Sequence, residues 1–183
     1  MKQSLQTAFS CSSFLLSYPE LGWREDVTEL QEEIAVIEQE DVKASLTAFV
    51  KQALDKTNEQ LIDSYVYTFD FGKKTNMYLT YMNTGEQRER GIELLELKQH
   101  YKKSGFEVTD KELPDYLPLL LEFFANADEQ DSKPIRGKYK ENIQALHVQL
   151  KEADSMYEPI LGAVLLAIDT WGVQTNSKGE LSK

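Results

Sequence analysis

The chain has 183 residues, 41% of them hydrophobic, and a formal net charge of −11. That length and apolar content suit one domain with a real core. The acidity argues against nucleic acid and against an anionic membrane surface, both of which require clustered Lys and Arg, and leaves a basic peptide or protein as an allowed partner.

The period along the chain is helical. Leu5, Ala8, Phe9, Ser12, Leu15 and Leu16 fall at helix-face spacing and stop before Pro19. Val27, Leu30, Ile34 and Ile37 make a second stripe, and Leu46, Phe49, Val50, Ala53 and Leu54 a third. The capping-box pattern Thr57-x-x-Gln60 opens a fourth, Leu61, Ile62, Tyr65, Val66 and Phe69. A Tyr-rich segment, Asn76 to Met82, ends at Asn83-Thr84-Gly85, and Thr84-x-x-Gln87 begins a helix that Gly105 closes.

Pro114 and Pro118 then bracket the mouth of an almost wholly apolar helix near 116–126. Proline belongs in a helix's first turn, and Asp115 is placed as the N-cap. A helix apolar nearly all round is either core or the lining of a hydrophobic groove. Asp128 to Lys133 is expected to be a polar linker and candidate hinge. It is followed by a long helix from about Pro134 carrying Ile135, Tyr139, Ile143, Leu146 and Leu150. Ser155-x-x-Glu158 caps a last apolar helix, Pro159 to about Trp171. The polar segment 173–183 is expected to be disordered. No strand alternation or internal repeat emerges. The expected fold is all-α, a single globular bundle of eight to nine helices over residues 1–172.

Chemistry is sparse. Cys11 is the single cysteine, so no internal disulfide forms and export is not suggested. No signal-peptide stretch and no run of 18 apolar residues occurs, which points to a cytoplasmic protein without stable membrane association. Cys11, His100 and His147 each lack a ligand partner at helical spacing, and no glycine-rich phosphate loop is present. Neither catalysis nor a bound cofactor is expected.

Two constellations remain. Tyr65, Tyr67, Phe69, Asp70, Phe71, Tyr78 and Tyr81 concentrate aromatics beyond what one core stripe needs, which suits packing between helices or a surface receiving another chain. In Glu86-Gln87-Arg88-Glu89-Arg90-Gly91 the two arginines point differently; the run reads either as a pairing of Arg88 with Asp70 or as a solvated helix start.

The ordered blocks Tyr67-Thr68-Phe69-Asp70-Phe71, Tyr78-Leu79-Thr80-Tyr81, Gly85-Glu86-Gln87-Arg88-Glu89-Arg90-Gly91, Glu112-Leu113-Pro114-Asp115-Tyr116-Leu117-Pro118 and Glu122-Phe123, with the early Phe14-Leu15-Leu16-Ser17-Tyr18-Pro19, resemble the NarJ-type assembly chaperones of respiratory nitrate reductase. These belong to a wider all-helical family of redox-enzyme maturation chaperones that includes TorD and DmsD. The resemblance covers about residues 9–125. It implies no catalysis. It implies binding of the nitrate reductase catalytic (alpha) subunit precursor at its N-terminal segment, in the cytoplasm. The precursor stays competent for molybdenum cofactor insertion before membrane docking, and the chaperone leaves before the enzyme is finished. Helix exchange in the wider family allows a homodimer. Another molybdoenzyme of the same class as client, or a non-catalytic helical interaction domain, are the alternatives. A peptide helix in a groove uses apolar anchors and, here, an acidic rim. Tyr67, Phe69, Tyr78, Tyr81 and Tyr116 are therefore expected as groove wall, Asp115 and Glu122 as cap or rim, and Asp70 and Arg88 as a supporting pair.

Overall fold

The computed structural model describes residues 2–72, 74–82, 87–107, 109 and 111–179. Among them the fold is a bundle of eight α-helices without a strand. The helices are α1 Lys2–Leu15, α2 Trp23–Ala35, α3 Glu40–Leu54, α4 Asn58–Tyr65, α5 Gln87–Lys103, α6 Leu117–Asn126, α7 Glu129–Glu152 and α8 Glu158–Gly179. A π-helical turn, Val66–Asp70, continues α4, and a 3-10 turn covers Leu79–Met82.

The stripes read from the sequence face inward. Leu5, Ala8, Phe9, Ser12, Leu15 and Leu16 are buried, and α1 runs along both α6 and α8. Phe9 stands between Phe124 on α6 and Trp171 on α8, with ring centroids 5.5 and 5.9 Å away. The apolar helix resolves to core: Leu117, Pro118, Leu120, Leu121, Phe123, Phe124 and Ala125 are buried, while Glu122 and Asn126 face solvent. Each fully buried Leu or Phe there contributes about 1.5–3 kcal/mol. That makes α6 the hydrophobic axis of the fold.

The caps follow local rules where side chains decide them. Thr57 and Gln60 form the reciprocal capping box of α4. α5 ends in a Schellman arrangement. Phe106 N–H donates to Tyr101 C=O at 2.9 Å and Gly105 N–H to Lys102 C=O at 3.1 Å, and Gly105 takes φ +83°, which only glycine adopts freely. α7 ends in the same pattern with Asp154 at φ 48°, a conformation that costs an L residue.

Four sequence expectations change. Asp115 is not the cap of α6: Tyr116 holds the N-cap position without a side-chain bond, and Asp115 is used elsewhere. The 128–133 stretch is not a linker, because α7 begins at Glu129 and Pro134 lies inside it. Its first turns are held by the buried guanidinium of Arg136. This donates to Ser132 Oγ at 2.9 Å and to Glu129 at 3.0 Å and lies 4.1 Å from the Trp171 ring centroid. A tertiary contact thus overrides a polar, proline-bearing sequence. The box Ser155-x-x-Glu158 is half formed. Ser155 Oγ accepts from Tyr157 N–H at 3.3 Å, whereas the Glu158 carboxylate bonds His147 Nε2 at 2.6 Å. Finally, the backbone of α8 stays helical to Gly179, past the end near Trp171 expected from the sequence. The predicted Thr84-x-x-Gln87 box involves Thr84, which lies outside the described residues.

Candidate functional site

The Tyr-rich blocks meet where α4 ends. Phe71 N–H donates to Val66 C=O at 3.1 Å, the i→i+5 bond of a π turn. Residues two apart then face opposite ways. Tyr65 and Phe69 are buried, whereas Tyr67 is 79% and Phe71 76% exposed. Gly72 closes the segment. A Cβ there would stand 2.2 Å from the Thr68 carbonyl oxygen, so no side chain fits without displacing backbone.

The inward rings build an aromatic ladder. The Tyr65 ring lies 5.0 Å from Phe69, 6.0 Å from Tyr157 and 5.4 Å from Tyr18. Its hydroxyl shares a hydrogen bond of 3.2 Å with the Tyr116 hydroxyl. Tyr116 in turn packs against Tyr78 at 5.3 Å, and the Tyr78 hydroxyl donates to Glu112 at 2.6 Å. Burial, and then the bond to Tyr116, push the Tyr65 phenol far above its ordinary pKa. Tyr78 and Tyr116 are raised as well, chiefly by burial. These three phenols are therefore neutral at physiological pH.

Two backbone bonds pin the ladder's second half. Leu79 N–H donates to Asp115 C=O at 3.1 Å and Leu117 N–H to Met77 C=O at 2.9 Å, with Tyr78 and Tyr116 paired antiparallel between them. The Asp115 side chain, wholly buried, completes this joint. One carboxylate oxygen accepts from Thr80 N–H at 3.0 Å and from Thr80 Oγ1 at 2.7 Å. Arg90 Nε donates to the same Thr80 oxygen at 3.0 Å, and its guanidinium stands 3.9 Å from Asp115 and 5.7 Å from the Tyr81 ring centroid. Asn142 of α7 donates to Leu79 C=O at 2.9 Å. A buried carboxylate needs such donors, because without them it would lose several kcal/mol of solvation.

The predicted site residues thus divide. Phe69, Tyr116 and Tyr78 belong to the ladder, and Asp115 is internal rather than a rim. Tyr67 faces outward, as do Asp70, Tyr81 (60% exposed), Arg88 and Glu122. Glu122 lies on the solvent side of α6, and no ion pair joins Arg88 to Asp70 among the described residues. The arginine that matters is Arg90. Its signal was present: counting back from buried Tyr101 by four, three and four gives Leu97, Leu94 and Arg90, one face of α5.

Outside the ladder is an open groove of about 1320 Å³, between the π turn and the corner joining α7 to α8. Tyr67 and Phe71 line it, with Met156 and Pro159 from the corner. A smaller cavity of about 370 Å³ lies between α5 and residues 111–114 and includes Tyr78. Among the described residues, no group of three or more His, Cys, Asp or Glu is placed to hold a metal ion, and no helix is long and apolar enough to cross a membrane. Cys11 is buried, and burial lifts its thiol to about 12, away from nucleophile chemistry.

Residues 22–161 match the family described as nitrate reductase delta subunit. The chain belongs to that family. It is 47% identical to the NarJ protein of Bacillus subtilis over 95% of both chains. It is 29% identical to the nitrate reductase molybdenum cofactor assembly chaperone NarJ of Escherichia coli K12, over 86% of this chain and 68% of that one. It is also 31% identical to the nitrate reductase-like protein NarX of Mycobacterium tuberculosis over 90% of this chain, which is 24% of the longer protein. The family match spans the ladder apart from Tyr18, the Asp115 joint and the groove. The two NarJ proteins are named as assembly chaperones and not as catalytic subunits, in line with a sequence that offers no catalytic cluster.

Proposed function

We propose that this chain is an assembly chaperone of respiratory nitrate reductase that works in the cytoplasm. It binds the precursor of the catalytic subunit through that subunit's N-terminal segment and keeps it competent for molybdenum cofactor insertion. It releases the precursor before membrane docking and is absent from the finished enzyme. The molybdenum cofactor is cargo of the client, and this chain holds no cofactor of its own. The observation that carries the reading is the 47% identity to a NarJ protein over nearly the whole of both chains. The exposed pair Tyr67 and Phe71 beside a large groove supports a peptide-binding mode, since apolar rings left in water mark interaction surfaces.

Calorimetric titration with a synthetic peptide covering the N-terminal segment of the catalytic subunit tests the binding step. Saturable heat at micromolar concentrations is expected, and silence at tens of micromolar excludes that segment as the contact. Deleting the chain from cells and assaying molybdenum in the purified reductase tests the assembly step. Full cofactor loading without the chain would rule it out.

A further inference from the structure

The two oxygens of the buried Asp115 carboxylate are treated differently. Oδ2 takes both bonds from Thr80 and faces Arg90, while Oδ1, equally buried, has no hydrogen-bond partner among the described residues. The hydroxyl of Tyr139 on α7 is buried and unpartnered as well. Buried polar atoms of folded chains nearly all find a partner, in protein or in ordered water, so two orphans call for a common cause.

Both orphans belong to one chamber, walled by α5, α7, the 3-10 turn and the mouth of α6. Asn142 follows Tyr139 by three residues and shares its face of α7. It donates to Leu79 C=O, and Leu79 N–H donates to Asp115 C=O. From α5, the Tyr101 hydroxyl donates to Pro114 C=O, one residue before Asp115. Burial first raises the phenols of Tyr101 and Tyr139, and the Asp115 charge adds to the shift of each, so the carboxylate stands near both rings.

The chemistry of the chamber selects its occupant. Arg90 offsets Asp115, and Lys138, 3.3 Å from Glu93, offsets the other carboxylate that acts on Tyr139. The charges balance, so an added ion would stand uncompensated. A carboxylate oxygen only accepts, whereas a phenol hydroxyl both donates and accepts. One neutral molecule that donates to the first and bonds the second satisfies both, and water is small enough for a packed joint.

We propose that one ordered water is bound here, donating to Asp115 Oδ1 and hydrogen-bonded to the Tyr139 hydroxyl. It gives α7 a second tie to the mouth of α6, beside the one through Asn142. The site is independent of the chaperone reading.

A high-resolution crystal structure of the full chain tests the site. A water within about 2.7–3.2 Å of both Asp115 Oδ1 and the Tyr139 hydroxyl oxygen is expected. Oδ1 bonded directly to a protein donor, Tyr139 bonded directly to Glu93, or an ion in the chamber would each overturn the proposal. Oxygen-17 relaxation dispersion, which counts long-lived internal waters whatever the hydroxyl protons do, supplies the second measurement. Tyr139→Phe, shown to be folded by circular dichroism, is expected to lose one such water. Val36→Ala, at an exposed position, is expected to lose none. A folded Tyr139→Phe chain with the parent count overturns the bridge, and if that variant does not fold, the parent crystal structure decides alone.

Discussion

The buried carboxylate of Asp115 and the guanidinium of Arg90 stand 3.9 Å apart, and the hydroxyl of Thr80 is hydrogen-bonded to both. This three-residue joint ties the start of α5 and the 3-10 turn to the mouth of α6. Asp115→Ala removes the buried acceptor of two hydrogen bonds from Thr80. A loss of about 3 kcal/mol is expected in urea unfolding. Arg90→Met, at a partly exposed site, should cost less, about 1 kcal/mol. An Asp115→Ala chain with the parent midpoint would show the joint to be dispensable.

Gly72 owes its identity to space. The Cβ of Gly72→Ala would meet the Thr68 carbonyl oxygen at 2.2 Å, and backbone there yields only by rebuilding the π turn. A loss of about 1–3 kcal/mol is expected. Weaker amide-exchange protection of Phe71, whose N–H closes the turn, should accompany it. Unchanged protection in the alanine variant would mean the turn tolerates the methyl group.

Six tyrosines, Tyr65, Tyr78, Tyr101, Tyr116, Tyr139 and Tyr157, have pKa values raised chiefly by burial. The folded state therefore holds these protons more tightly than the unfolded chain, whose phenols ionise near 10. Their contribution to stability is fully present below pH ~10 and is lost as pH rises above it, because the unfolded state then binds fewer protons. Urea midpoints should be insensitive to these groups up to about pH 9 and fall steeply beyond pH ~10. Ultraviolet titration should show the buried phenols ionising only as the chain unfolds. Reversible ionisation of all nine tyrosines near pH 10 in the folded chain would contradict this.

Arg136 decides where α7 begins. Its ties to Glu129 and Ser132 and its place over Trp171 hold a segment that reads as a loop. Arg136→Met should cost about 2–3 kcal/mol, through unpaired Glu129 and the lost cation–π contact. It should also raise amide exchange over 129–134 more than over 140–150, with a shift in Trp171 fluorescence. Uniform exchange along α7 would show that the first turns do not depend on Arg136.

Much of the fold was legible because it rests on local rules. The stripes Leu5–Leu16, Val27–Ile37 and Ile135–Leu150 needed only helical periodicity, and Thr57–Gln60 and Gly105 needed only cap chemistry. The site was less legible. Tyr67 and Phe69 look alike in sequence, and only the packing around them shows that one stands in water and the other in the ladder. Asp115 sits where an N-cap belongs, yet its carboxylate finds two donors on Thr80, 35 residues back.

The proline-bounded run at 112–124 shows the division. Its composition alone dictated an apolar helix with proline in its first turn, and the ordered blocks around it were enough to suggest the family. Whether that helix was core or groove depended on what lies against it, namely Phe9 on one side and Tyr101 and Phe106 around Phe123 on another. Hydrophobic burial and capping are written into short stretches of chain. The partner of a buried charge, and the direction of one aromatic ring among many, are set by residues far away in sequence, so only the tertiary structure could assign them.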